Sequence, residues 1–455
     1  MKTLKSFYLL TLAAILAFTG CKKDDGGNPL PGTLTIEKTE YALDAVENRT
    51  ATVAFSAAAD WTLSVVYDDA ESAADWLTVT PASGTAGEQT VELSATRNYR
   101  TSDRTAYADL TCGEQSVRLT VTQAAASGDT DFTAQFDPDF AKELQKQGII
   151  ADAENITPED MEKIAAITSL NVSGSYDDPG TLTSLQGIEY FESLTELWCA
   201  YNELTSLDVS QNTTLTELRC YDNQLTSLDI SRNTALTALF CNNNQLTELD
   251  VSQNTALTDL DCNVNQLTAL DVSRNTALTD LRCGENQLTE LDVSRNTALT
   301  LLLCGGNQLT ELDVSPHTEL KRLICYSNQL KTLDVSRNTK LIHLNCISNE
   351  LTSLDVSQNT TLTELRCYGN QLTTLDISRN TALTTLWCYS NQLTSLDISR
   401  NTVLNNLNCS YNPGDGVSAF PVTAWFDTKP ENLTVNQTSW TYGGVTITID
   451  FRKAE

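Results

Sequence analysis

The sequence is poor in the residues from which catalytic and metal sites are usually built. Its 455 residues include only two histidines, His317 and His343, and it contains no HExxH motif, no CxxC pair and no glycine-rich phosphate loop. Carboxylates are abundant, but a repeated surface acid is not the matched pair that acid–base catalysis requires. The composition therefore predicts a protein that is not an enzyme and has no cofactor.

Positive charge is also scarce. The chain has 29 Lys and Arg residues against 59 Asp and Glu residues, which gives a net charge of −30. Nucleic-acid binding requires a basic surface that displaces counterions, so this class of partner is excluded, as is direct adhesion to anionic lipid. A soluble, self-repelling surface is the simplest interpretation of the charge.

The N-terminus has the pattern of an export signal. Residues 1–20 place two lysines before an apolar run that is too short to span a membrane, and Cys21 follows directly. This arrangement resembles a bacterial lipoprotein signal, which implies cleavage before Cys21, lipidation of its thiol and a flexible tether over 21–32. The KKDD run at 22–25 resembles the tag of Bacteroidetes surface lipoproteins and implies display on the outer membrane. Simple secretion is the alternative.

Residues 33–124 alternate apolar and polar side chains over short runs separated by turns, which predicts a small antiparallel β-sandwich with an immunoglobulin-like arrangement. They resemble the BACON domain through a few positions in order: Trp61, WLTV at 76–79, PASGT at 81–85, Asn98, Arg104 and VTQ at 121–123. The resemblance implies a spacer or a carbohydrate-binding module. Both tryptophans open alternating strands, so we expect them in the core. Residues 125–155 are predicted to be a linker.

Cysteine recurs every 21 residues along the second half of the chain, at positions 199, 220, 241, 262, 283, 304, 325, 346, 367, 388 and 409. The repeated unit, LTxLxCxxNQLTxLDVSxNTx, resembles the leucine-rich repeat, with Cys at the third leucine position. The preceding segment LQGIEYF at 185–191 resembles the one before internalin-type repeats. The overall prediction is a mainly β protein with little helix.

The resemblance implies a solenoid over 194–412, preceded by a cap and irregular repeats over 156–193 and followed by a β cap over 413–455. Because LTxLDVSxN repeats the spacing of LTxLxCxxN, we expect two short strands in each coil. His317 replaces the asparagine of the SxNT turn, and we expect an irregular loop there.

Side chains alternate along a strand, so each cysteine points inward with the leucines. Stacked cysteines with parallel Cβ vectors are poorly placed for disulfides, and the two histidines are too few for a zinc site. We therefore interpret the cysteines as small buried hydrophobes. The asparagine three residues after each cysteine is expected to bond the turn and the neighbouring coil.

An aspartate occupies the same place in ten coils, from Asp208 to Asp397. Stacked like charges require compensation. Calcium is one interpretation, because hard cations bind several oxygens. The alternative is hydrogen bonding to the backbone or to the serine two residues on, with ion pairs to the arginine that often follows.

The outward residues beside each cysteine vary from coil to coil and include many Trp, Tyr and Arg side chains, which dominate binding hot spots. The predicted ligand-binding residues are Trp198, Arg219, Tyr221, Phe240, Arg282, Tyr326, Arg366, Tyr368, Trp387 and Tyr389. A host or microbial protein is the first choice of partner, as the leucine-rich-repeat resemblance implies. A glycan such as mucin is the second, and a spacer without a ligand is the third.

Overall fold

A computed structural model describes residues 34–46, 48–67, 76–425 and 428–454. The chain divides into two compact units. The first contains the chain up to Phe132 together with Ile156–Glu162, and the second contains Thr133–Asn155 together with Lys163–Glu455. The predicted signal, the lipidation site Cys21 and the tether lie outside the described residues.

The first unit is a β-sandwich whose strands follow the alternating pattern of the sequence. One sheet has the order β1-β3-β7-β5 and the other has the order β2-β9-β8-β4-β6, with antiparallel pairing except between β2 and β9. Its strands are β1 (Leu34–Ile36), β2 (Glu40–Leu43), β3 (Thr50–Ala57), β4 (Trp61–Val66), β5 (Leu77–Thr80), β6 (Ser83–Gly84), β7 (Gly87–Ala95), β8 (Arg104–Cys112) and β9 (Gln115–Gln123). The inward residues of both sheets form one hydrophobic core.

The motif residues of the sandwich are structural. Trp61 and Trp76 are buried, as expected, and the Arg104 guanidinium lies 4.5 Å from the Trp76 ring centre. A Cβ atom at Gly84 would approach the Trp61 ring to 2.7 Å, which explains the glycine of the PASG turn. The buried Gln123 amide donates to three carbonyl oxygens. Neither tryptophan is therefore an exposed platform for a sugar.

The second unit begins with helical elements. Helix α1 (Pro138–Lys146) lies inside the segment predicted as a linker. Helix α2 (Pro158–Ala165), whose residues up to Glu162 belong to the first unit, matches the predicted start of the cap. Short 3₁₀ turns occur at Thr133–Gln135 and Ile188–Tyr190. Asp137 caps α1 by accepting from the amides of residues 139 and 140. The buried Phe140 ring lies 6.1 Å from the Phe191 ring, so α1 is part of the packed unit.

The repeats form a solenoid with one three-residue strand in nearly every coil. The strands are β10 (Ser169–Asn171), β11 (Glu196–Trp198), β12 (Glu217–Arg219), β13 (Ala238–Phe240), β14 (Asp259–Asp261), β15 (Asp280–Arg282), β16 (Leu301–Leu303), β17 (Arg322–Ile324), β18 (His343–Asn345), β19 (Glu364–Arg366), β20 (Thr385–Trp387), β21 (Leu396–Asp397) and β22 (Asn406–Asn408). The coil strands from β11 to β20, and then β22, pair in parallel at an offset of 21 residues, and β10 pairs with β11 at an offset of 27.

The prediction of two strands per coil is wrong. Within the described residues, the second half of a coil contains a strand only at β21, which pairs with the C-terminal tail. Elsewhere its backbone groups have other partners. The Ser231 amide donates to the Asp229 side chain, and the Ile230 carbonyl accepts from the backbone of Asn233 and the side chain of Asn254. These bonds replace a strand ladder.

The C-terminal tail closes the solenoid. It contains β23 (Ala419–Ala424), β24 (Thr434–Val435), β25 (Ser439–Tyr442) and β26 (Val445–Lys453). Strand β24 pairs with β22, the strand of the last coil, and β21-β23-β26-β25 form a separate sheet. The buried Trp440 indole donates to the Asn412 carbonyl at 2.9 Å, so the tail is hydrogen-bonded to the final coil.

Candidate ligand-binding face

Two asparagine ladders hold the coils together, and neither is available to a ligand. In the first, which the sequence predicted, the Asn286 amide donates to the carbonyls of Cys262, Cys283 and Gly284, while its oxygen accepts from the Leu267 amide. Each such asparagine therefore joins neighbouring coils. This ladder accounts for one invariant column of the repeat.

The second ladder was not predicted as such. The fully buried Asn275 amide donates at 2.9 Å to the carbonyls of both Val251 and Asn254 in the preceding coil. The signal in the sequence was the repeated asparagine of SxNT. His317 takes this place in one coil with a ring nitrogen 3.0 Å from the Val293 carbonyl. It is buried in a regular turn, so the expectation of an irregular loop there is wrong.

The cysteine ladder is buried as expected. All eleven repeat cysteines are fully buried free thiols. Burial raises the pKa of the Cys199 thiol to about 12 and raises that of Cys283 well above its usual range. A thiol held neutral in an apolar column is a poor nucleophile and a poor metal ligand. The column packs the interior.

The aspartate column is held by local hydrogen bonds. The Asp229 carboxylate accepts from the Ser231 amide at 2.9 Å, and hydrogen bonds from Ser231 lower the pKa of Asp229. Across the described coils, none of these aspartates forms a direct ion pair with the arginine that follows, although the charge of that arginine also lowers the pKa of several of them, Asp229 included. The described residues also contain no group of three or more His, Cys, Asp or Glu arranged to hold a metal ion.

The variable residues form what we call the strand face: the outward side chains of β11–β20 and β22, together with the residue after each cysteine. The ten predicted ligand-binding residues all lie there, and all ten are half-buried rather than exposed as expected. The reason is that these side chains reach across to the neighbouring strands, roughly 4.8 Å away, and pack on one another.

One cluster lies at the N-terminal end of the strand face. The Arg219 guanidinium lies between two rings, 4.6 Å from the Trp198 ring centre and 5.1 Å from that of Phe240. It also pairs with Glu217 on its own strand. The Tyr221 ring meets the Tyr201 ring edge to face at 5.3 Å. These contacts order the side chains before any ligand is bound.

A second cluster lies toward the C-terminal end. The Arg366 guanidinium lies 4.3 Å from the Trp387 ring centre and pairs with Glu364. The Tyr368 and Tyr389 rings stack at 4.0 Å with an interplanar angle of 14°. The Trp387 indole donates to the side chain of Asn406, one coil further on. The two clusters repeat the same Arg–Trp contact at both ends of the face.

The centre of the strand face is filled rather than hollow. A Cβ atom at Gly305 would lie 2.4 Å from the Tyr326 ring, so the missing side chain makes room for the tyrosine of the next coil. The Tyr326 hydroxyl donates to Glu285 at 2.8 Å. Burial and this hydrogen bond raise the pKa of Tyr326 to about 12.

The strand face also contains an acidic group that sequence reasoning missed. Asp259 and Asp280 are direct partners in parallel register, and Arg282 is the partner of Asp261. Burial and the neighbouring Asp259 raise the pKa of Asp280, and burial raises the pKa of Asp261. The signal was present in the sequence, because residues 21 positions apart are neighbours.

Asp280→Asn is expected to raise the unfolding midpoint at pH 7, because it removes a carboxylate that is unfavourable in the folded state. Because the pKa of Asp280 is raised in the folded state, its carboxylate destabilises the fold at pH values above that pKa. The destabilisation disappears as the pH falls below the pKa of the unfolded state, about 4. Thermal unfolding followed from pH 3 to pH 8 measures it. Asp334→Asn is the matched control, since hydrogen bonds from Ser336 lower the pKa of Asp334 and the substitution should destabilise. An equal effect of Asp280→Asn at both ends of the pH range would contradict the assignment.

The fold and its face define a repeat scaffold. The 21-residue period, the parallel strands, the inward leucines and the asparagine ladder confirm the prediction of a leucine-rich-repeat solenoid. Among the described residues, no helix combines the length and the hydrophobicity needed to cross a membrane.

Parts of this chain are similar to known proteins. Residues 33–126 match the family model described as the viral BACON domain. The functional domain of InlJ from Listeria monocytogenes, described as including a cysteine ladder, is 28% identical, covers 71% of this chain and 98% of its own, and has a TM-score of 0.47. YopM, a leucine-rich effector protein from Yersinia pestis, is 22% identical, covers 64% and 87%, and has a TM-score of 0.48. Comparison with curated proteins gives no match.

Proposed function

We propose that this chain is a non-enzymatic surface protein whose solenoid binds a protein partner on the strand face. The observation that carries the proposal is an internal comparison of the coils. The leucine, cysteine, asparagine and aspartate columns hardly change, and each has a structural role in the fold. The strand face varies and contains ordered clusters of arginine and aromatic side chains, whose composition is that of binding hot spots.

The clusters favour a protein over a sugar as the ligand. Stacking on a sugar uses an open ring face, and Arg366 already occupies one of the two faces of Trp387, while Tyr368 and Tyr389 occupy one face of each other, so the ring surface available to a sugar is reduced. A protein surface can instead contact the ring edges and the guanidinium groups. Because these side chains are already ordered by their neighbours, binding loses less conformational entropy.

The proposal includes attachment to the outer membrane through a lipid on Cys21, which the signal-like residues 1–20 support. Attachment through a lipid at one end would leave the solenoid in solvent, which suits a chain with a net charge of −30. Detection of labelled palmitate on the mature N-terminus tests this part, and a mature protein without lipid would contradict it.

The double substitution Trp387→Ala and Tyr389→Ala tests the binding face. We expect recovery of bound protein from a solubilised surface-protein extract to fall by about tenfold or more, since hot-spot aromatics contribute about 2 kcal/mol or more each. Quantitative mass spectrometry of the captured proteins measures the loss, and thermal unfolding of the variant establishes that it is folded.

The matched control is Asp376→Ala with Asp397→Ala, which changes the aspartate column in the coil of Trp387 and Tyr389 and in the coil before it, and should leave capture unchanged. A glycan array is run in parallel. Binding to glycans without capture of protein would support the glycan alternative. No binding in either assay, or an equal loss in the control, would leave the solenoid as a spacer.

A further inference from the structure

One coil reverses the charge of the solenoid. Residues 321–341 contain five basic side chains and a single acid, Asp334, whereas the other coils between 195 and 404 are neutral or negative. The five are Lys321, Arg322, Lys331, Arg337 and Lys340. The whole chain has a net charge of −30, so a positively charged coil is unusual here and is a candidate for a specific function.

Two of these cations, Arg322 on the strand face and Lys321 directly before it, have no acidic partner among the described residues. Arg322 is the first residue of β17 and lies in register between Leu301 and His343. Lys321 directly precedes it, and both side chains are exposed. Neither forms an ion pair with any described residue, whereas Lys340 in the same coil is paired with Glu319 at 2.6 Å. Both side chains are therefore available to an anion outside the chain.

The same place shows a departure from the structural consensus. Eight of the first ten coils have threonine at the position of Lys321, and several of these threonines donate to the preceding coil, as Thr279 does to the Thr258 carbonyl at 3.2 Å. Lys321 and Ile342 replace threonine in two successive coils and cannot make this bond. A repeat that gives up a stabilising contact at two adjacent positions indicates a functional requirement there.

Aliphatic side chains surround the cations. Ile324 lies between Leu303 and Asn345 in register, and Ile342 is 37% exposed. We call the set Leu303, Lys321, Arg322, Ile324 and Ile342 the basic patch. It combines two unpaired cations with an aliphatic surface. The patch extends over three neighbouring strands, a distance of about 10 Å across the sheet.

We propose that the basic patch binds a short segment of a protein partner that carries both acidic and aliphatic side chains. The inference rests on the proposed function and names the chemistry of the segment that this part of the face would take. Carboxylates of the segment would pair with Lys321 and Arg322, and its aliphatic side chains would cover Ile324 and Ile342. Charge complementarity of this kind sets specificity and the rate of association.

A long polyanion fits the patch less well. Polyanion binding needs an extended row of cations, and here the preceding coil contains Glu311, Asp313 and Glu319. The aliphatic side chains of the patch also offer no aromatic ring for a sugar. A segment with one or two carboxylates matches the size of the patch and avoids the flanking acids.

An array of ten-residue synthetic peptides in four classes tests the proposal with the full-length mature protein. The classes are acidic–aliphatic, basic–aliphatic, uncharged aliphatic and acidic without aliphatic residues. We expect the acidic–aliphatic class to bind best and to weaken as the salt rises from about 0.05 M to about 0.5 M. The variant Lys321→Glu with Arg322→Glu should lose about tenfold of this binding and gain affinity for the basic–aliphatic class.

Lys331→Glu with Arg337→Glu is the matched control, because it makes the same change of charge at exposed positions of the same coil outside the strand face. Its peptide binding should stay within about twofold of the unmodified protein. No preference for acidic–aliphatic peptides, an equal loss in the control, or heparin binding through Lys321 and Arg322 would overturn the inference. If protein capture through Trp387 and Tyr389 persists in that case, the proposed function stands and only the basic patch fails.

Discussion

Asn275→Asp is expected to lower the free energy of unfolding by about 4 kcal/mol or more at neutral pH. The substitution keeps the shape of the side chain but replaces a donating amide with an acceptor. The Asn275 amide nitrogen lies 2.9 Å from the carbonyl oxygens of Val251 and Asn254, in a site with no solvent exposure. A carboxylate there would face two oxygens and could donate to neither.

Asn275→Ala separates the effects of charge and of lost hydrogen bonds. Each of the two carbonyls keeps a backbone donor, from Asn254 and Leu257 respectively. The alanine variant should therefore lose two ordinary hydrogen bonds, a cost of about 2 kcal/mol. Urea unfolding of both variants measures the difference. If the aspartate variant were no less stable than the alanine variant, the ladder would not have the donor geometry described here.

His317→Asn is the counterpart of these substitutions. His317 bonds the Val293 carbonyl in the preceding coil, but it does not reach the Asn296 carbonyl as an asparagine of this ladder would. Restoring asparagine should add one inter-coil hydrogen bond and raise stability by about 1 kcal/mol. Gaining an asparagine at position 317 should therefore raise the free energy of unfolding, whereas losing the asparagine at position 275 should lower it.

The 21-residue period of the repeats explains which features could be predicted from the sequence. Inward leucines and cysteines, the strand-end asparagine ladder and the register of 21 residues follow from spacing alone, because neighbouring coils repeat the same letters. The asparagine of SxNT was visible as a residue repeated in nearly every coil, but its two hydrogen bonds to the preceding coil depend on how deeply the turn is buried. His317 therefore looked like an interruption, whereas its ring fits the same buried place.

The parts that were not predictable depend on contacts between different columns or segments. The spacing of LTxLDVSxN is that of a strand, yet the Asp229–Ser231 bond and the buried asparagines use its backbone groups. The aromatic residues of the strand face were expected in water, and the structure shows Arg219 packed between two rings. Helix α1 was missed although Asp137 followed by Pro138 is a local helix-start signal. Only its packing against Phe191, about fifty positions later, depends on long-range contacts.

Trp440→Ala is expected to have the second large effect on stability, a loss of about 3–5 kcal/mol. The Trp440 ring is buried and meets the Phe420 ring edge to face at 5.7 Å. Its indole N–H donates to the carbonyl of Asn412, the last member of the first asparagine ladder. The side chain therefore joins the C-terminal sheet to the end of the solenoid by packing and by a hydrogen bond.

Trp440→Phe is the matched control, since it keeps most of the ring packing and removes only the N–H donor, at a cost of about 1 kcal/mol. Loss of the cap in the alanine variant should also expose β22, whose outer edge is paired only with the two residues of β24. Unpaired edges recruit other chains, so light scattering should show self-association of the alanine variant at concentrations where the phenylalanine variant is monomeric. A monomeric alanine variant of unchanged stability would mean that the tail does not cap the solenoid, and that the last coil is closed by its own asparagine ladder.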